Sequence, residues 1–275
     1  MMGSTPLPCE RATHAAGTAG LSRWVLIGHS HCNAVAAAAA RRSTADRDRF
    51  AVVNLNRLCG RHEVLTAEPV PRLNAVVVEA IANAAAGATS VRYVSMVGGN
   101  AHSVVGMMQH QRPFDFVVPG HESLGRIPGA ELLSYEYVRE SLQHLCTAHF
   151  AQFRVLRDHV GALAAHIDTP PPVEDEALIR PALGEFFRRL EQSGSSAISP
   201  AVLRYKLWLT HAAVWQQFCR DEQVPYVGPP PEAFDERGYL RGSLMAEATH
   251  GNAAFGELVL RRLDALFGAE AHASL

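Results

Sequence analysis

The stretch from Trp24 to Val35 constrains this chain most. A short apolar run, residues 24–27, passes through Gly28-His29-Ser30-His31 into an alanine-rich segment over residues 33–40. The run contains Val and Ile and suits a buried strand, whereas the alanines favour a helix. Gly28 can take backbone conformations closed to other residues. Ser30 therefore falls at a strand-to-helix junction. In an open α/β sheet, ligands bind outside the carboxyl ends of the strands, where a helix N-terminus offers unpaired N–H groups. Ser30 is the candidate nucleophile.

The same organisation recurs along the chain. Residues 91–97 read as a strand that runs into Gly98-Gly99-Asn100-Ala101-His102. Residues 50–55 read as another, followed by the polar segment Asn56-Arg57-Leu58-Cys59-Gly60, which lies beside Ser30 if the two strands are parallel. Further strands are expected at 114–118 and 224–227. Helical periodicity covers 73–86, 132–167 with an interruption near Gly161, 177–190, 201–220 and 253–267. This alternation predicts an α/β chain: a three-layer α/β/α sandwich around a mostly parallel sheet. Residues 1–20 read as a flexible N-terminal lead, 21–270 as a single α/β domain, and 121–200 as a helical insertion or cap on it.

Charge and cysteine content narrow the function classes. Twenty-five Lys and Arg stand against 27 Asp and Glu, a formal charge of -2, which gives no global electrostatic case for nucleic acid or an anionic membrane. Five cysteines without a CxxC pair fit free thiols in a reducing compartment. No apolar block of signal-peptide or membrane-spanning length is present. A cytoplasmic protein is expected, with homo-oligomerisation left open.

Three blocks carry the chemistry: Gly28-His29-Ser30-His31, Gly99-Asn100-Ala101-His102 and Glu247-Ala248-Thr249-His250. In this order the chain resembles the SGNH/GDSL hydrolase superfamily. Members of that superfamily place a serine in a first block, an oxyanion-hole glycine in a second, an oxyanion-hole asparagine in a third, and an acidic-x-x-His motif near the C-terminus. The resemblance spans residues 24–267 and rests on about 15 motif residues. It implies the flavodoxin-like SGNH fold, with Ser30 as nucleophile, His250 as general base and Glu247 as the acid orienting it. It also implies an oxyanion hole of the Ser30 N–H, Asn100 and, as the positional guess for the second block, Gly60. Residue 29 is His where the family usually has Asp, and Glu247 stands where Asp is typical.

Acyl transfer is the chemistry such residues perform. A neutral hydroxyl is a weak nucleophile and needs a base to take its proton as attack begins. The resemblance implies a serine esterase or deacylase acting on a small acylated substrate, which it allows to be carbohydrate-like. Transfer to another alcohol, or a binding module that keeps the fold without catalysis, are the alternatives. His29, His31 and His102 are candidate substrate contacts. Cys32 is a second candidate nucleophile, with a buried structural thiol as the competing reading. No cofactor is expected, and the histidines lack the HExxH or paired-Cys spacing of a zinc site.

Overall fold

The computed structural model describes residues 21–59, 64–66, 70–192 and 197–267. Alternation along the first strand, β1 (Ser22–Gly28), decides the layering. Trp24 and Leu26 enter one apolar cluster and Val25 and Ile27 the other, as the period of two requires. Parallel to β1 on either side lie β2 (Phe50–Asn54) and β3 (Ser90–Met96). Beyond β3 come β4 (Ala165–Ile167) and β5 (Tyr226–Val227), also parallel. The sheet order is β2-β1-β3-β4-β5, the doubly wound order of flavodoxin. The chain reverses direction across the sheet between β1 and β3, so a crevice opens outside their carboxyl ends.

Helices cover both faces. Against Trp24 and Leu26 pack α1 (Cys32–Ala39) and, from the far end of the chain, α7 (Ala253–Phe267). The opposite face carries α2 (Ala75–Ala85), α4 (Tyr135–Leu145), α5 (Thr147–Val160) and α6 (Ala201–Asp221). The short α3 (Ala101–Gly106) follows β3 and leans on α6, where a Cβ on Gly106 would meet the Leu207 side chain at 2.2 Å. Among the described residues no helix is long and apolar enough to cross a membrane.

One strand expectation and one helix expectation are corrected. Residues 114–118 do not join the central sheet. Phe114–Asp115 instead pairs with Glu131–Leu132 in a separate two-stranded piece. The reason is Asp115, a buried carboxylate that needs partners an apolar sheet interior lacks. It accepts from Lys206 Nζ at 2.8 Å and from the Phe116 and Ile127 N–H groups, and Lys206 also donates to the Gly125 carbonyl. The fourth strand of the sheet is Ala165–Ile167, within the 132–167 stretch expected to be helical with an interruption near Gly161. All three of its residues are buried between β3 and β5. The stretch 121–200, expected as an insertion or cap, thus contributes a strand to the body of the molecule.

Candidate active site

Ser30 and His250 meet because the helices that follow them pack together. β1 ends at Gly28, where a Cβ would lie 2.1 Å from the Met96 carbonyl oxygen, so only glycine lets β1 and β3 run so close here. Ser30 sits in the turn before α1. His250 lies on a short antiparallel hairpin, Met245–Glu247 with His250–Gly251, immediately before α7. Asn252 fastens that hairpin to the helix: its Oδ1 accepts from the Ala254 and Phe255 N–H groups, and its amide donates to the Ser243 and Met245 carbonyls. α7 then crosses α1 at Gly256, whose Cβ would stand 2.1 Å from the Ala34 carbonyl oxygen. Arg42 and Arg49 on the α1 side pair with Glu257 and Asp264 of α7.

The result is a hydrogen bond of 2.7 Å between Ser30 Oγ and His250 Nε2, joining residues 220 positions apart. Two oxygens reach the other ring nitrogen. Thr249 Oγ1 lies 3.1 Å from Nδ1, and Glu247 Oε2 lies 3.3 Å from it. Their settings differ. Glu247 is 67% exposed, so water screens its charge, whereas Thr249 is half-buried and tied into the site. Asn100 Nδ2 donates to Thr249 Oγ1 at 3.1 Å, and Asn100 Oδ1 receives His31 Nε2 at 2.7 Å. A hydroxyl has two lone pairs, so Thr249 can accept from Asn100 and from His250 Nδ1–H together. In that arrangement Nε2 is left unprotonated and faces the serine. This proton assignment follows from the network and from the Glu247 carboxylate, which also favours a proton on Nδ1.

Asn100 occupies the N-cap position of α3, yet its side chain makes no cap hydrogen bond. Its carbonyl is committed to His31 and one N–H to Thr249, so its second N–H remains for a ligand. The cleft beside these groups has a volume of about 160 Å³ and is lined by His29, Ser30, Asn56, Gly98 to Ala101, Val104, Leu145 and His149. Of the three histidines expected at the substrate, His29 lines it. The Gly98 N–H donates to His29 Nδ1 at 3.1 Å, and the His149 ring stands edge-on to it with centroids 5.1 Å apart. His31 is buried and acts on Asn100. His102, on the inner side of α3, points away from the cleft toward His211, with ring centroids 4.8 Å apart. Burial holds both His31 and His102 well below the usual histidine range.

Cys32 is fully buried with its thiol against Met96, and burial pushes its pKa up to about 12. A thiol so held is not ionised near neutrality and has no access to a substrate. Gly60 lies outside the described residues. The segment after β2 does reach the cleft, through Asn56. Asn56, His149 and Thr249 had no role assigned from sequence. Thr249 stands inside the Glu247–His250 block, and Asn56 in the polar segment expected beside Ser30, whereas no motif marks His149. Among the described residues no group of three or more His, Cys, Asp or Glu is placed to hold a metal ion.

No family model and no curated protein matches the chain. Solved structures to which it is similar include a provisionally assigned acylhydrolase from Bacteroides fragilis NCTC 9343, 8% identical, covering 90% of this chain and 88% of that one with a TM-score of 0.46. A GDSL-like lipase from Bacteroides thetaiotaomicron VPI-5482 is 9% identical over 92% of this chain and 89% of its own, with a TM-score of 0.40. A carbohydrate acetylesterase from Sinorhizobium meliloti is 14% identical over 90% of this chain and 100% of its own, with a TM-score of 0.38.

Proposed function

We propose that the protein is a serine ester hydrolase of the SGNH/GDSL type, cleaving a small acyl ester through a Ser30-centred acyl-enzyme. The observation that carries this reading is the 2.7 Å contact of Ser30 Oγ with His250 Nε2 at the edge of the cleft. Ser30 attacks the acyl carbon while His250 Nε2 takes the hydroxyl proton. Negative charge then develops on the former carbonyl oxygen. The second N–H of Asn100 and the backbone N–H of Ser30 are the proposed donors to it, each such donor being worth roughly 3 kcal/mol in related chemistry. His250 returns the proton to the departing alcohol and next deprotonates a water, which attacks the acyl carbon and frees Ser30.

Thr249 and Glu247 hold the Nδ1 proton throughout, and Thr249 links the base to the oxyanion donor through Asn100. The proposed partner is a small-molecule ester, and the family resemblance allows its alcohol to be carbohydrate-like. The proposed compartment is the cytoplasm, in keeping with four buried cysteines that carry free thiols. The test is hydrolysis of a panel of 4-nitrophenyl and acetylated-sugar esters by the wild type and by the Ser30→Ala and His250→Ala proteins. Turnover that falls by at least about 10⁴-fold in both variants is expected. Folded wild type without turnover, or activity that survives in Ser30→Ala, removes the reading. Product formed with an added alcohol in preference to water assigns the same serine to acyl transfer.

A further inference from the structure

Three of the exposed apolar side chains stand on the two helices beside the cleft. Val104 on α3 and Leu145 on α4 are each 45% exposed, and Tyr137, two turns earlier on α4, is 61% exposed. Val104 lines the 160 Å³ cleft and also a second, larger trough of about 550 Å³ between α3 and α4. Phe114, Leu133 and Leu142 give it apolar surface, and His110, Arg112 and Glu131 line it as well. Tyr137, Ser141 and Leu145 are spaced i, i+4, i+8 and form one row along α4. Tyr137 and Ser141 line the trough and Leu145 lines the cleft. At 1.5 Å per residue this row runs about 12 Å from one to the other. The trough is thus a continuation of the cleft.

The position of the base decides which part of an ester would lie there. His250 must reach the leaving oxygen to protonate it, so the alcohol leaves on the His250 side. Neither His250 nor Thr249 lines the cleft or the trough. The acyl substituent therefore points along Val104 into the trough. We propose that the α3/α4 trough is an acyl-chain site and that the substrate is a medium-chain acyl ester rather than an acetate. The proposal rests on the Ser30–His250 reading.

Each methylene taken from water into such a surface is worth about fourfold, the equivalent of about 0.8 kcal/mol. The expected kcat/KM for 4-nitrophenyl octanoate therefore exceeds that for the acetate by at least about 10-fold, even with partial burial of the chain. Ser141→Trp, which fills the trough with an indole, and Leu133→Glu, which places a carboxylate in it, each bring that ratio toward one. Two variants at separate positions of the trough guard against failure of either one to fold, which thermal melting reports. An octanoate-to-acetate ratio at or below one in the wild type, or a ratio that neither folded variant changes, overturns the proposal. Stronger preference for octyl acetate over ethyl acetate than for octanoate over acetate gives the trough to the alcohol and also overturns it. So does a dimer in sedimentation that Ser141→Trp dissociates, because the trough is then an interface between copies. If the wild type turns over no ester, the Ser30–His250 reading is what fails. Calorimetric titration of Ser30→Ala with octanoate and acetate then reads the trough separately: octanoate binding lost on adding Ser141→Trp supports an acyl-chain site, and no octanoate binding overturns it.

Discussion

Replacing the two neighbours of His250 Nδ1 one at a time separates charge from hydrogen bonding at the base. Glu247 is close enough for an ion pair with a protonated ring, at 3.3 Å, but two-thirds exposed. Exposed pairs contribute about 0.2–1 kcal/mol, so Glu247→Gln is expected to lower kcat/KM by only about 1.4- to 5-fold. Thr249→Val removes more. It deletes the acceptor of the His250 Nδ1–H and of an Asn100 N–H, two hydrogen bonds of about 1 kcal/mol each, and so predicts a loss of about 30-fold. Thr249→Ser keeps the oxygen and is expected within a few-fold of wild type. The assay is the pH profile of kcat/KM on a 4-nitrophenyl ester. A loss above about 100-fold in Glu247→Gln, with Thr249→Val near wild type, refutes the assignment and makes the acid the principal orienting group.

Three further outcomes follow from the same structure. Gly256→Ala forces a methyl group against the Ala34 carbonyl, an overpacking expected to cost about 1–3 kcal/mol and lower Tm by about 2–10 °C, with activity falling further as α7 carries His250 away from Ser30; an unchanged melting curve contradicts this account of the helix contact. Burial holds His31, His102, His166 and His211 neutral, the last two at about 3, so the unfolded chain binds more protons than the folded one between those values and 6.5. Stability must then fall as pH drops below about 6.5. Asp168, raised by burial to about 6, works in the opposite sense between 3.8 and 6, but it is one group against four. Thermal melts are expected to show Tm decreasing from pH 7 to pH 5, and a flat or rising Tm contradicts the buried neutral histidines. Cys32→Ala is expected to retain turnover, and native wild type is expected to resist iodoacetamide at Cys32 at pH 8, whereas rapid alkylation there contradicts the buried thiol.

The nucleophile region was legible because strand, turn and helix signals change within a dozen residues, and each signal is local. Ala165–Ile167 was hidden for the opposite reason. Three residues carry no measurable period, and they close the 132–167 stretch that reads as helical apart from an interruption near Gly161, whereas the helix itself stops at Val160. Residues 114–118 show an apolar run like that of a sheet strand, and only the distant Lys206 explains why Asp115 is buried elsewhere. The order of the three motif blocks was visible. Which atoms touch was not, because the Ser30–His250 contact depends on α1 and α7 crossing at Gly256. His102 shows the limit of counting from a motif: one residue past Ala101, the turn of α3 directs its ring inward to His211. Thr249 is not legible in the sequence, because a hydroxyl inside the Glu247–His250 block carries no signal until the fold brings Asn100 to it.

The central claim is that Ser30 is an activated nucleophile. The measurement that tests it most directly is intact-mass analysis with peptide mapping after treatment with a serine-reactive organophosphonate. A single adduct on Ser30, retained in Cys32→Ala, strongly slowed in His250→Ala and absent in Ser30→Ala, is the predicted result. Folded wild type that takes up no label, or a stoichiometric adduct that persists in Ser30→Ala, contradicts it.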